Sequence, residues 1–204
     1  MKFTIPTMLA FVAATSATPL PRASSNPPYF ITIGDLTVAT NGGWGDGLLT
    51  LVASPADGEN RGKSGSTTYE SNLKGIVSDL QDLGTTPIII TPLSRRNFDG
   101  DTVSEDFVEW RLRAIAAAED SEIGYLDLTT ASTDYINAIG AENAETYDLS
   151  DGDGTHINEA GGIVFGRMVA DLLLEKRDDL EEYITPNEEL SEKIANGEYA
   201  TGDE

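Results

Sequence analysis

The chain has 204 residues, of which 39% are hydrophobic and 24% charged, so one globular domain with a real core is expected and a disordered polymer is excluded. Its 35 acidic residues against 13 basic ones give a net charge of -22, which argues against nucleic acid or an anionic membrane as partner. There is no cysteine, which rules out disulfides, thiolate nucleophiles and zinc–thiolate sites.

Lys2 precedes an apolar run from Phe3 to Ala14, and Thr15-Ser16-Ala17 supplies the small residues that a signal peptidase reads. The run is shorter than the ~20 apolar residues of a membrane span, and Pro6 disfavours a helix within it. Residues 1–17 therefore read as a cleaved signal peptide, and a secreted, extracellular protein is expected. No other segment is apolar enough for a membrane anchor, and no Asn-x-Ser/Thr sequon is present. Residues 18–28, rich in Pro and Ser, read as an extended leader.

Tyr29 to Ile33 is a β-branched and aromatic run of the length of a buried parallel strand. It runs into Gly34-Asp35-Leu36-Thr37, at the carboxyl end of a strand, where α/β proteins place their chemistry. Asn41-Gly-Gly-Trp44-Gly-Asp46-Gly47 is a glycine-rich loop that meets neither the Walker nor the dinucleotide spacing, and apolar Leu48 to Ala53 follows it. Glu59 to Gly65 reads as a strand end and turn.

Tyr69, Leu73, Ile76, Val77, Leu80 and Leu83 recur at helical spacing, with Gly84 as the stop. Pro87 leads into the strand Ile88–Ile90, which ends at Thr91-Pro92. A helix is expected from near Ser104, with Phe107, Trp110, Ala114, Ile115 and Ala118 on its apolar face. Ile123 to Leu128 reads as a strand, Thr133 to about Tyr147 as a helix, and Ala160 to Leu174 as a terminal helix with Asn158 as its N-cap. The acidic segment 175–204 is expected to be a short helix and a frayed tail. Strands alternating with helices predict a parallel sheet covered by helices on both faces, in one domain over residues 29–174.

Asp153-Gly-Thr-His156 holds the sole histidine, and an aspartate three residues before a histidine can fix the imidazole tautomer and stabilise its charged form. The acidic loop around it fails as an EF-hand. With Gly154 at position six, Leu149 and Ala160 fall on ligand positions, and with Gly152 at six, Leu149 again does. Gly34-Asp35-Leu36, the Trp44 loop, Gly62-Lys63-Ser64, Thr91-Pro92 and Asp153-x-x-His156 together resemble the SGNH/GDSL hydrolases. Within them they are similar to the secreted rhamnogalacturonan acetylesterase-like carbohydrate esterases.

The resemblance implies a three-layer α/β/α fold with a parallel, flavodoxin-like sheet, and ester hydrolysis by serine, histidine and aspartate without a cofactor or metal. Asp153 and His156 fall on the aspartate and histidine, and Gly62 on the glycine whose amide faces the oxyanion. Trp44 is a weak candidate for lining a sugar groove. At the nucleophile's position stands Leu36, which no base can activate. Thr37 beside it carries a hydroxyl, but successive side chains along a strand end point in opposite directions.

The family's Gly-x-Asn-Asp block is absent too. Ser66-Thr67-Thr68 runs straight into the helix at Tyr69, leaving a gap near 68/69 where the central third strand belongs. The first strand is then expected to pair directly with Ile88–Ile90, or the chain does not fold stably. The implied partner is acetylated pectin or xylan of the plant cell wall, and a monomer is expected. Three readings follow: an esterase by descent that lacks turnover, a non-catalytic carbohydrate-binding pseudoenzyme, and an unstable product of a truncated gene.

Overall fold

Side-chain alternation along one short strand shows how the layers are built. In β3 (Ile88–Ile90) the middle isoleucine packs with Val77 and Ala114, Ala117 and Ala118, while Ile88 and Ile90 pack on the opposite face among Phe165, Val169 and their neighbours. A strand with apolar groups on both faces must be covered on both, and helices do so here. The computed structural model describes residues 27–34, 38, 43–53, 57–62 and 69–204. The signal-peptide segment, most of the leader, and residues 35–37 and 63–68 lie outside these.

In chain order the elements are β1 (Tyr29–Gly34), α1 (Trp44–Leu51), β2 (Asp57–Gly62), α2 (Tyr69–Asp82), β3, β4 (Phe98–Asp99), β5 (Thr102–Val103), α3 (Val108–Asp120), β6 (Gly124–Leu126), α4 (Leu128–Glu145), α5 (Glu159–Leu174), a 3-10 turn (Asp178–Tyr183) and α6 (Glu188–Asn196). Helices α2 and α3 form one outer layer, and α1, α4, α5 and α6 the other. This is a three-layer α/β/α arrangement.

The sheet is divided. Strand β1 pairs in parallel with β2, from Tyr29 opposite Asp57 to Gly34 opposite Gly62. Strand β3 pairs in parallel with β6, and β4 with β5 forms an antiparallel hairpin that the sequence reading did not foresee. Among the described residues no strand joins β1 to β3. The expected direct pairing of the first strand with Ile88–Ile90 is therefore not formed. The two parallel pairs are held together by helix packing instead.

That packing rests on glycine. Helix α1 starts at Trp44, so the glycine-rich loop continues into helix, and Gly47 lies against α5 at Gly162 and Gly166. A Cβ on Gly47 would stand 1.8 Å from the Gly162 carbonyl oxygen, and one on Gly166 would stand 2.6 Å from Gly47 C. The two helices meet backbone to backbone. Trp44 and Leu48 of α1 and Val164, Phe165 and Val169 of α5 are buried around the crossing.

Three other expectations need correction. Helix α4 begins at Leu128, five residues before Thr133, because the Asp127 carboxylate accepts from Thr130 N and caps the first turn. The helix also kinks at Gly140, whose φ of 77° lies in the left-handed region. Trp110 is exposed rather than buried on α3, with its ring meeting Tyr69 edge to face at 5.2 Å.

The third correction concerns the acidic C-terminal segment, which is packed rather than frayed. Leu180, Ile184, Leu190 and Ala200 are all at most 4% exposed. Thr185 N donates to Leu51 O at 2.7 Å, and Tyr147 Oη donates to Ala200 O at 2.6 Å. The Glu204 side chain is 5% exposed. It accepts from Lys193 Nζ at 2.7 Å, Thr201 N at 3.0 Å and Gly202 N at 2.9 Å. Burial alone would raise its pKa, but the lysine and the amides hold it down to about 2, against an ordinary 4.5.

A carboxylate depressed in this way adds stability that is complete above pH 4.5 and fades as pH falls toward 2. Glu204→Gln is accordingly expected to melt below the parent at pH 7, with the difference narrowing by about pH 3. Thermal unfolding at the two pH values checks this, and an equal difference at both would contradict it.

Candidate active site

Of the residues singled out in the sequence, Gly34 and Gly62 end parallel strands, whereas Asp153 and His156 lie on the loop between α4 and α5. Gly34 and Gly62 are register partners that end β1 and β2 side by side. Leu36 lies two positions past Gly34, with Asp35 and Thr37, and these three are outside the described residues. Trp44 is 4% exposed and sits in the main core. As placed, its side chain is part of that core rather than of an open surface.

Asp153 and His156 come from the loop between α4 and α5, and their geometry is tightly set. His156 Nδ1 lies 2.8 Å from Asp153 Oδ2. The other carboxylate oxygen accepts from the backbone amides of His156 at 3.0 Å and Thr155 at 3.1 Å. Those bonds, led by the His156 amide and then its ring, hold the Asp153 carboxyl down to about 2. An ionised carboxylate can only accept, so Nδ1 must donate, and the neutral ring then carries its lone pair on Nε2. With 33% of its side chain exposed, the imidazole is open to an incoming group.

The loop is anchored at both ends. Asp148 and Ile157 form an antiparallel bridge, and Leu149 N donates to His156 O at 3.1 Å. Asn158 caps α5 as expected, its Oδ1 accepting from Gly161 N at 3.0 Å, and its Nδ2 donates back to Thr146 O at 2.7 Å. Gly152 supplies the left-handed turn at φ 75°. The acidic loop's carboxylates have internal work: Asp148 pairs with Arg96 at 2.7 Å, and Asp153 with His156.

The sequence reading missed Arg96, whose side chain is wholly buried beneath the loop. Its location just after Thr91-Pro92 was the one available signal, and it did not reveal what the arginine would hold. A cleft of about 430 Å³ between α4, α5 and α6 is lined by Asp134, Tyr135, Met168, Asp171, Glu175 and Ile194, among others, and shares no residue with the dyad.

No family model matches the chain. The probable rhamnogalacturonan acetylesterase YesY of Bacillus subtilis (strain 168) is 27% identical over 107 residues, which cover 51% of this chain and 49% of that protein. This chain resembles the SGNH-type carbohydrate esterases. Among solved structures, Bacillus subtilis YxiM superposes with a TM-score of 0.60 at 19% identity, over 74% of this chain and 57% of that one. Axe2, an acetylxylan esterase from Geobacillus stearothermophilus, superposes with a TM-score of 0.51 at 14% identity, covering 72% and 93%. At those identities the likeness is one of fold alone, a three-layer α/β/α arrangement. The chain matches about half the length of YesY.

Proposed function

We propose that this chain descends from carbohydrate O-acetylesterases and retains the base half of their machinery without its nucleophile. In this reading its ligand is an acetylated plant cell-wall polysaccharide, pectin or xylan. The observation that supports it most is the Asp153–His156 pair, whose 2.8 Å contact leaves Nε2 free as a proton acceptor. The partial match to an acetylesterase supports the carbohydrate ester as the substrate class.

Ester hydrolysis at neutral pH needs a nucleophile, a base to take its proton and donors for the oxyanion. His156 supplies the base and Asp153 orients it. The Gly62 amide, at the end of β2, is the candidate oxyanion donor. Leu36 offers neither a proton to remove nor a lone pair to attack with, so the expected turnover is close to background.

The test is acetyl-ester hydrolysis by the purified chain from Thr18 onward, beside its His156→Ala version. Equal and negligible rates are expected, together with measurable binding to acetylated pectin or xylan. Hydrolysis that disappears with His156 would mean that another group serves as nucleophile, with Thr37 the first to replace. Absence of binding to every such polymer by the folded chain would remove the carbohydrate reading.

A further inference from the structure

Arg96 reaches the Asp153–His156 turn from three directions. Its backbone amide donates to Gly154 O at 2.9 Å. Its Nη2 donates to two carbonyls three residues apart, Asp153 O at 3.0 Å and His156 O at 2.6 Å. Its Nε donates to Asp148 Oδ1 at 2.7 Å, where the loop leaves α4. The side chain is 0% exposed, and Asp148 only 7%.

We propose that Arg96 is the positioning residue of the Asp153–His156 dyad: by tying the carbonyls of both residues to one buried guanidinium, it sets the turn that brings carboxylate and imidazole together. The inference rests on reading this site as the base half of an ester hydrolase. Two peptide groups three residues apart are free to rotate in an exposed loop. With both carbonyls turned down onto one nitrogen, the Asp153 carboxylate meets the Thr155 and His156 amides, and the ring closes on Oδ2.

Chemistry and packing both require arginine at this place. A guanidinium is a rigid planar fork whose donors point in fixed directions, whereas a lysine offers its donors from one point. Burial lowers the arginine's pKa, and the Asp148 carboxylate beside it opposes that shift. The loop also rests directly on the chain at Arg96: a Cβ on Gly154 would stand 2.2 Å from Asn97 Oδ1. The neighbouring Arg95 faces away from the dyad, over the Phe107 ring and toward Asp106.

The sole histidine makes the test direct. Nitrogen NMR of the chain labelled at histidine, at about pH 8 and so above the ordinary histidine range, reports which ring nitrogen carries the proton. The parent is expected to show one fixed tautomer, protonated at Nδ1. Arg96→Lys is expected to lose it, the two ring signals moving toward each other, while Arg95→Lys keeps it. An unchanged Nδ1–H tautomer in folded Arg96→Lys would overturn the proposal.

If Arg96→Lys does not fold, the parent chain itself decides. The clamp requires slowly exchanging, separately resolved Nη2 protons with couplings across their hydrogen bonds to the Asp153 and His156 carbonyl carbons. Averaged guanidinium protons would overturn it. The tautomer is read without substrate, so the two ideas fail differently. An inert, non-binding chain with an Arg96-dependent tautomer keeps the clamp and loses the esterase reading. Binding to acetylated pectin or xylan without turnover, with an Arg96-independent tautomer, does the reverse.

Discussion

Gly47→Ala is expected to cost about 3 kcal/mol or more, the upper end of what overpacking does to a core. The added carbon would stand 1.8 Å from the Gly162 carbonyl oxygen and 2.5 Å from its carbon. Both are backbone atoms of a helix whose Val164, Phe165 and Ala170 are fully buried. Helix α5 cannot retreat without opening that core, so α1 must lift away with Trp44 and Leu48. Total stabilities of ~5–15 kcal/mol leave little margin for such a loss.

Gly75→Ala is the matched control. It lies in α2 with nothing within 4 Å of its added carbon, and alanine there is expected to stabilise by about 0.5–1 kcal/mol. Urea unfolding of the two variants reads the contrast. A Gly47→Ala midpoint near that of the parent would show that the seam between α1 and α5 yields.

Leu36→Ser is expected to leave hydrolysis far below that of intact acetylesterases. The hydroxyl restores a nucleophile, but the Gly-x-Asn-Asp block remains absent, and losing one oxyanion donor alone costs roughly 10²–10³ in turnover. Losses among groups that act together do not simply add, so any recovered rate should be small and should vanish in Leu36→Ser combined with His156→Ala. Steady-state kinetics on an acetyl ester measures both. Turnover at family level from the single change would show that the missing block is not needed.

Much of the fold was legible because periodicity reports burial. The spacing from Tyr69 to Leu80 gave α2, with Val77 buried, although Leu83 lies past its end and is exposed, and Ile88–Ile90 gave β3. Asn158 gave the start of α5, because a side-chain acceptor there has a local partner at Gly161. What failed were features decided by distant partners. Residues 197–204 are polar and acidic in sequence, yet Tyr135 and Tyr147 hydrogen-bond the Ala200 backbone, while Lys193 holds Glu204. Trp110 fits the helical stripe of α3, but its neighbour is Tyr69 rather than the core.

The same division holds at the site. Asp153 and His156 lie three residues apart and could be read as a pair, and their contact is local. Arg96 reaches them across 57 and 60 positions, through main-chain carbonyls that carry no residue identity. No spacing rule detects a partner of that kind. Trp44 shows the converse: it stands in a glycine-rich stretch of sequence, yet it begins α1 and is buried in the core.

The divided sheet leaves the turn that holds Asp153 and His156 and the β1–β2 ladder with separate supports. Among the described residues, the groups that shape the Asp153–His156 turn, from Arg96 through Asp148 to Asn158, lie within residues 96–158. Among the described residues, none of these hydrogen bonds reaches the ladder that carries Gly34 and Gly62. On the reading proposed above, a change confined to position 36 therefore leaves the hydrogen bonds of the dyad in place, and the turn can persist for the sake of the fold. A well-formed histidine base in such a chain can be held in place by packing alone, and it says nothing by itself about present catalysis.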